Sequence, residues 1–234
     1  MRVFMPFRSL NARYPKLGPI VCVSTFQYFL VQYVVSLRWS PVYSLSRNTI
    51  SDLGNTACGE FNAKYVCSPL HSLMNVSFVA LGLAMFAGSA LLYHSHQSSR
   101  GRSVGFMSIA IGGVGAVLVG VFPENSVSAL HGIGAALPFV VGNVGVLVLG
   151  LSLIMPVALR FYTLMTGTVG LLSLCFYASG HYLGFGEGGI ERWVAYPQTV
   201  WLIVIGIYLL ATQTFKVEMK SKGVSRWPRL ENHD

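Results

Sequence analysis

The chain has 234 residues, of which 53% are apolar and only 10% charged. So few charges cannot cover a water-facing surface, which excludes an ordinary soluble domain and makes lipid the expected solvent. The net charge of +8 calls for no nucleic-acid partner, because its distribution along the chain has a membrane explanation.

Residues 1–16 form a basic N-terminal segment ahead of the first apolar stretch, Leu17 to Leu37. That stretch lacks a small-x-small cleavage pattern at its end, so it reads as a retained spanning helix and not as a signal peptide. Gln27 and Gln32 within it lie about 140 degrees apart around a helix. Buried amides of this kind are expected to hydrogen-bond neighbouring helices.

The next segment, 38–68, is the longest connection and the most polar part of the chain. Loops beyond about 15 residues are usually functional or disordered. This one carries Trp39, Tyr43, Phe61 and Tyr65, which suit a membrane interface, and is expected to fold over one mouth of the bundle. Cys58 and Cys67 lie within it and read as a disulfide in an oxidising compartment, whereas Cys22 and Cys175 fall inside apolar stretches.

Five more apolar stretches follow: Pro69 to Tyr93, Val104 to Phe122, His131 to Met155, Val157 to Ala178 and Val194 to Thr212. Each approaches the roughly 20 residues that a spanning helix needs. The expected fold is therefore all-α, a polytopic six-transmembrane-helix bundle over residues 17–212 with a basic tail, 213–234. Glycines in the third and fourth stretches, such as Gly112, Gly115, Gly134 and Gly142, predict close approach of those two helices. Pro138 should kink the fourth. Five glycines between Gly180 and Gly189 sit in the expected last loop, Ser179 to Trp193. Without a preceding strand or a following Walker lysine they read as flexibility and not as a phosphate cradle. No internal repeat of the transporter kind is visible.

Twelve of the sixteen Lys and Arg residues fall in the N-terminal segment, the second and fourth connections and the tail; only Arg38, Arg47, Lys64 and Arg192 occupy the alternate loops. With an even number of spans this split puts both termini in the cytoplasm. The expected location is the cell membrane, of the prokaryotic inner-membrane kind.

Polar and titratable residues gather at the expected outer boundary. His71, His131 and His181 are candidate metal ligands, since three imidazoles are a common set for a catalytic zinc that keeps its fourth position for an activated water. Asp52 and Glu124 are candidate general bases in such a reaction. Ser51, Asn75, Asn125, Glu187 and Arg192 are candidate substrate contacts; the same groups would also suit a polar lipid headgroup. Neither His-x-x-x-His nor His-Glu-x-x-His occurs, so each ligand would come from a different helix. His94 and His96, beside Arg100, read as a solvated turn on the cytoplasmic side.

The run Thr49-Ile50-Ser51-Asp52-Leu53-Gly54, His71, and Gly120-Val121-Phe122-Pro123-Glu124 followed by His131 resemble a family of six-helix bacterial and archaeal membrane proteins classed as a domain of unknown function. The Ile-Ser-Asp element is also similar to one in the eukaryotic family containing Frag1, DRAM and Sfk1, linked to lipid biology. The first resemblance implies the six-helix architecture and the importance of Asp52, His71, Glu124 and His131, without a reaction. The alkaline ceramidase and progestin-receptor superfamily of membrane metal hydrolases offers analogy only, because it has seven helices and a paired His-x-x-x-His.

The leading expectation is an outer polar site that binds or hydrolyses a lipid or other amphipathic molecule, by a metal-dependent hydrolysis if it is an enzyme. The rival is a non-catalytic membrane subunit or interaction partner in a larger complex. Membrane lipids and other membrane subunits are the expected partners.

Overall fold

A computed structural model describes residues 10, 12–93 and 99–221, with side chains to residue 212. His94 and His96, the basic residues Arg2, Arg8, Lys222, Arg226 and Arg229, and the terminal Glu231 to Asp234 lie outside the described residues.

Six helical stretches are long and apolar enough to cross a membrane. The first is split into α1 (Leu17–Ser24) and α2 (Gln27–Ser36). At the break Ser24 and Thr25 turn their hydroxyls back onto the carbonyls of Val21 and Cys22, at 2.7 Å each, which competes with the helical ladder. α3 (His71–Tyr93) and α4 (Arg100–Val121) are continuous. The fourth span comprises α5 (Ser128–Ala136), a π-helical segment (Leu137–Gly142) and α6 (Asn143–Ser152). The π segment is the form that the expected Pro138 kink takes: proline supplies no amide hydrogen and its ring crowds the preceding turn, so the ladder widens. α7 (Val157–Ala178) and α8 (Gly186–Ser221) complete the set.

Each span packs against its neighbours in the chain, and α8 closes the ring on α1. Glycines set the closest approaches. A Cβ at Gly115 would lie 2.4 Å from the carbonyl oxygen of Gly134, and one at Gly82 2.3 Å from that of Gly113. In lipid there is little hydrophobic drive between helices, so van der Waals contact at such points holds the spans together. The expected adjacency of the third and fourth spans is thus present. Gln27 donates to Ser77 O at 3.1 Å and accepts from the Ser77 hydroxyl at 2.8 Å, while Gln32 accepts from Tyr196 at 2.8 Å. Both amides join helices.

The long connection folds over one end of the ring, termed here the hairpin end. It departs from an all-α expectation by a two-stranded antiparallel hairpin, β1 (Gly59–Phe61) and β2 (Lys64–Val66). Asn62 and Ala63 both take positive φ, the requirement of the tight hairpin turn whose twist matches that of paired strands. One residue beyond each strand's outer end, Cys58 and Cys67 are disulfide-bonded, with Cα atoms 4.2 Å apart.

The last connection is shorter than expected, because α8 begins at Gly186 and not near Val194. Gly188 N–H donates to Ser46 O at 2.9 Å. A Cβ at Gly188 would meet Asn48 O at 2.0 Å. These glycines admit the long loop against the helix start, and the expected flexibility gives way to close packing.

Candidate functional site

The site is built on the segment Thr49 to Gly54, which the long loop lays into the mouth of the ring. Thr49 N–H donates to Asp52 Oδ2 at 2.8 Å, and Asp52 N–H donates to Thr49 Oγ1 at 3.0 Å. This reciprocal cap starts a 3₁₀ turn over Ser51–Gly54. Ser68 donates to Leu53 O at 2.7 Å, and Asn75 Nδ2 to Gly54 O at 2.9 Å. A Cβ at Gly54 would fall 2.4 Å from Asn75 Oδ1, so a larger residue there would displace the Asn75 amide from this contact.

Charges collect on one flank of the turn. Lys64 Nζ lies 2.7 Å from Asp52 Oδ2 and 3.4 Å from Glu187 Oε2. Burial alone would draw the Lys64 ammonium down, but the hydrogen bond and charge of Asp52 outweigh it and hold the group above its ordinary value. Glu124 sits in the connection between α4 and α5. Burial first, and then the neighbouring Asp52 carboxylate, push its carboxyl up to about 9. The folded chain therefore holds at Glu124 a proton that an unfolded carboxyl releases near its ordinary 4.5. That contribution to stability is fully present below pH 4.5 and is lost as pH rises toward 9, with a slope of at most about 1.4 kcal/mol per pH unit. Denaturation midpoints of the wild type should fall between pH 5 and pH 8.5, and Glu124→Gln should flatten that fall; an unchanged slope in the variant would assign it to another group.

On the other flank, Ser51 meets two partners at once. Its Oγ lies 3.0 Å from His131 Nε2 and 3.2 Å from Glu191 Oε1, while His131 Nδ1 lies 2.9 Å from the carbonyl oxygen of Phe122. Glu191 Oε2 accepts the Ile50 amide hydrogen. Ser51 and Glu191 also face a cavity of ≈ 40 Å³ with largely apolar walls that include Phe78, Met85, Pro138 and Phe139. By volume it admits a few water molecules.

Arg192, one residue along α8, is 8% exposed. It donates through Nη1 to the carbonyls of Leu45 and Asn48 at 3.0 Å each and to that of Gly188, and through Nη2 to the Tyr43 hydroxyl. Its Nε is buried without a partner among the described residues. The salt bridges of the described residues are both made by Lys64, so no carboxylate is paired with Arg192. Two grooves meet at this side chain. One, ≈ 720 Å³, runs between α7 and α8 past Met165, Val169, Trp193 and Val200; the other, ≈ 570 Å³, runs along α2 past Phe29, Tyr33 and Trp39.

Of the residues singled out by sequence, the fold brings Ser51, Asp52, Glu124, His131 and Glu187 around one turn. Asn75 supports that turn from below. Asn125 exchanges hydrogen bonds with Thr56, at 3.1 Å in each direction, and pins the loop. The three-histidine zinc set does not assemble. His131 uses both ring nitrogens on Phe122 and Ser51, and His181 is exposed with Nδ1 on Ser179 O at 3.1 Å. His71 Nδ1 is buried with no partner among the described residues. No three His, Cys, Asp or Glu side chains among those residues are grouped so as to hold a metal ion, so the candidate ligands do not fit zinc.

Glu191, Lys64 and Tyr43 carry roles that residue spacing alone left unassigned. One signal was present: Glu191, Ala195 and Gln198 follow the four- and three-residue steps of a buried helical face, which extends the apolar window that marked the span upstream to Glu191.

Residues 22–208 match the family described as Protein of unknown function (DUF998). No curated protein and no solved structure matches the chain.

Proposed function

Because the chain belongs to DUF998, a family of unknown function, its activity has to be read from the site, and we propose that it binds an anionic membrane lipid at the hairpin end. The observation that carries this reading is Arg192. A buried cation is costly unless an anion or good dipoles compensate it. Here its direct hydrogen-bond acceptors are all neutral, the Glu191 carboxylate acts on it only from beyond ion-pair distance, and its Nε–H is left without a partner among the described residues. The two grooves beside it have the volume of ordinary ligand sites. A phosphate on Arg192 would supply a directly paired negative charge and a strong hydrogen bond, and acyl chains would lie along Met165, Val169 and Val200. Trp193 and Phe185, both about half exposed, would then stand at the headgroup level, where aromatic side chains are favoured.

Native mass spectrometry of the full chain from phosphatidylglycerol nanodiscs tests this. Wild type is expected to retain phosphatidylglycerol and to exchange phosphatidylcholine freely. Arg192→Lys should weaken retention by about tenfold, through loss of the planar fork. Met165→Trp, which fills the groove from its lipid side and leaves Arg192 untouched, should abolish it. Equal retention by all three would overturn the reading.

In this reading the hairpin end faces outward, as the loop disulfide and the distribution of Lys and Arg both favour. A cysteine at Ser126 should react with an impermeant thiol reagent in intact cells, and one at Ser99 should react only after permeabilisation. The reverse pattern would invert the orientation.

A further inference from the structure

We propose that Ser51 is a nucleophile activated by His131, and that the chain catalyses acyl transfer from an ester to water at the turn Ser51–Gly54. This assignment stands on a different set of contacts from the Arg192 reading and does not depend on it.

Hydrogen counting fixes the roles of the two ring nitrogens. The Phe122 carbonyl can only accept, so His131 Nδ1 must carry a hydrogen, and in the neutral ring Nε2 is then an acceptor. Ser51 Oγ, 3.0 Å away, has one hydrogen to give it. The second contact of that oxygen, to Glu191 Oε1, is longer at 3.2 Å and competes for the same hydrogen; the reactive arrangement is the one in which the shorter contact holds it. In that arrangement Ser51 donates to a neutral imidazole whose tautomer and orientation are fixed from behind, the relation of a nucleophile to its general base. The backbone carbonyl of Phe122 takes the orienting place that a carboxylate fills in the usual triad.

Rigid support surrounds the pair. The Thr49–Asp52 cap, the Asp52–Lys64 ion pair and the Ile50–Glu191 hydrogen bond hold the serine backbone from three directions. A reacting oxygen placed by locked neighbours is what such chemistry requires. The cavity beyond Ser51, with room for a few water molecules, can hold the hydrolytic water.

In the first step a bond forms between Oγ and the ester carbonyl carbon while the Oγ proton passes to His131 Nε2. The carbon–oxygen bond to the alcohol then breaks, and the departing oxygen takes the proton from Nε2. In the second step water attacks the acyl-serine, Nε2 accepts its proton, and the Oγ–carbon bond breaks as that proton returns to Oγ. The products are the alcohol and the carboxylic acid, and no oxidant or further reactant is needed. Glu191 and the Ile50 amide position the serine; the reacting groups are Ser51 and His131.

The test is covalent labelling of the full chain in nanodiscs with a small dialkyl fluorophosphate, followed by peptide mapping. The expected result is an adduct on Ser51, formed on the order of 100-fold faster than any on the exposed Ser126. It should be missing in Ser51→Ala and slowed by a similar factor in His131→Asn. Hydrolysis of a short-chain p-nitrophenyl ester should be lost in both variants. If His131→Asn fails to fold, the comparison of Ser51 with Ser126 in the folded wild type decides alone. A folded wild type in which Ser51 reacts no faster than Ser126, or a folded His131→Asn that labels at the wild-type rate, would overturn the proposal and leave these residues as a structural tie between loop and bundle.

Discussion

Lys64→Met is expected to lose about 3–5 kcal/mol of stability, because it leaves the Asp52 carboxylate buried without its cation. The Asp52 side chain is 1% exposed and that of Lys64 only 19%, so water cannot readily replace the ammonium. Asp52 is also the acceptor of the Thr49 amide that starts the 3₁₀ turn, which places the loss at the base of the site. The companion variant Lys64→Met with Asp52→Asn should regain most of that stability, since asparagine keeps an oxygen for the Thr49 N–H and carries no charge. Denaturant titration in detergent of the two single variants and the double one gives the coupling directly. A double variant as unstable as Lys64→Met would show that the methylene stem of Lys64, and not its charge, holds the hairpin down.

Gly115→Val should be comparably severe, at about 3 kcal/mol or more. Its Cβ would meet the Gly134 carbonyl oxygen at 2.4 Å, Leu137 Cβ at 2.6 Å and Pro138 Cδ at 2.6 Å. The first of these is backbone and cannot rotate aside, so α4 must separate from α5 and from the π segment that walls the cavity. Gly132 provides the control, because nothing lies within 4 Å of a Cβ built there. Gly132→Ala should be neutral, or stabilising by up to about 1 kcal/mol through its gain in helix propensity. If both variants unfold alike, glycine at these positions matters through backbone flexibility and not through the closeness of the helices.

The six spans were legible because lipid imposes a length and an apolarity that few soluble segments share. Gly115, Gly134 and Pro138 could be read in advance for a similar reason: a small residue or a missing amide hydrogen has one structural consequence inside a helix. The site was legible only as a gathering of groups at one end. Asp52, from the loop, and Glu124 and His131, from the ends of spans, meet around the turn Ser51–Gly54. Their partners depend on how a 31-residue loop folds back, and no periodicity in the sequence specifies that. Lys64 is brought to Asp52 by a hairpin of three-residue strands, too short to announce itself. Glu191 fell outside the expected sixth span because the glycines before it suggested a loop, when in the fold those glycines are where the loop packs on the helix. The three histidines are not drawn together, which spacing does not reveal: His131 turns to Phe122 and Ser51, and the described residues hold no group of three donors.

A cryo-EM structure in nanodiscs containing phosphatidylglycerol tests most directly whether the hairpin end receives an anionic lipid at Arg192. The expected map has phosphate density within hydrogen-bond distance of Arg192 Nε and acyl-chain density along Met165, Val169 and Val200, both missing when the nanodisc contains phosphatidylcholine alone. A map in which Arg192 contacts only the carbonyls of Leu45, Asn48 and Gly188 and the Tyr43 hydroxyl, with the groove unchanged between the two lipids, would contradict it.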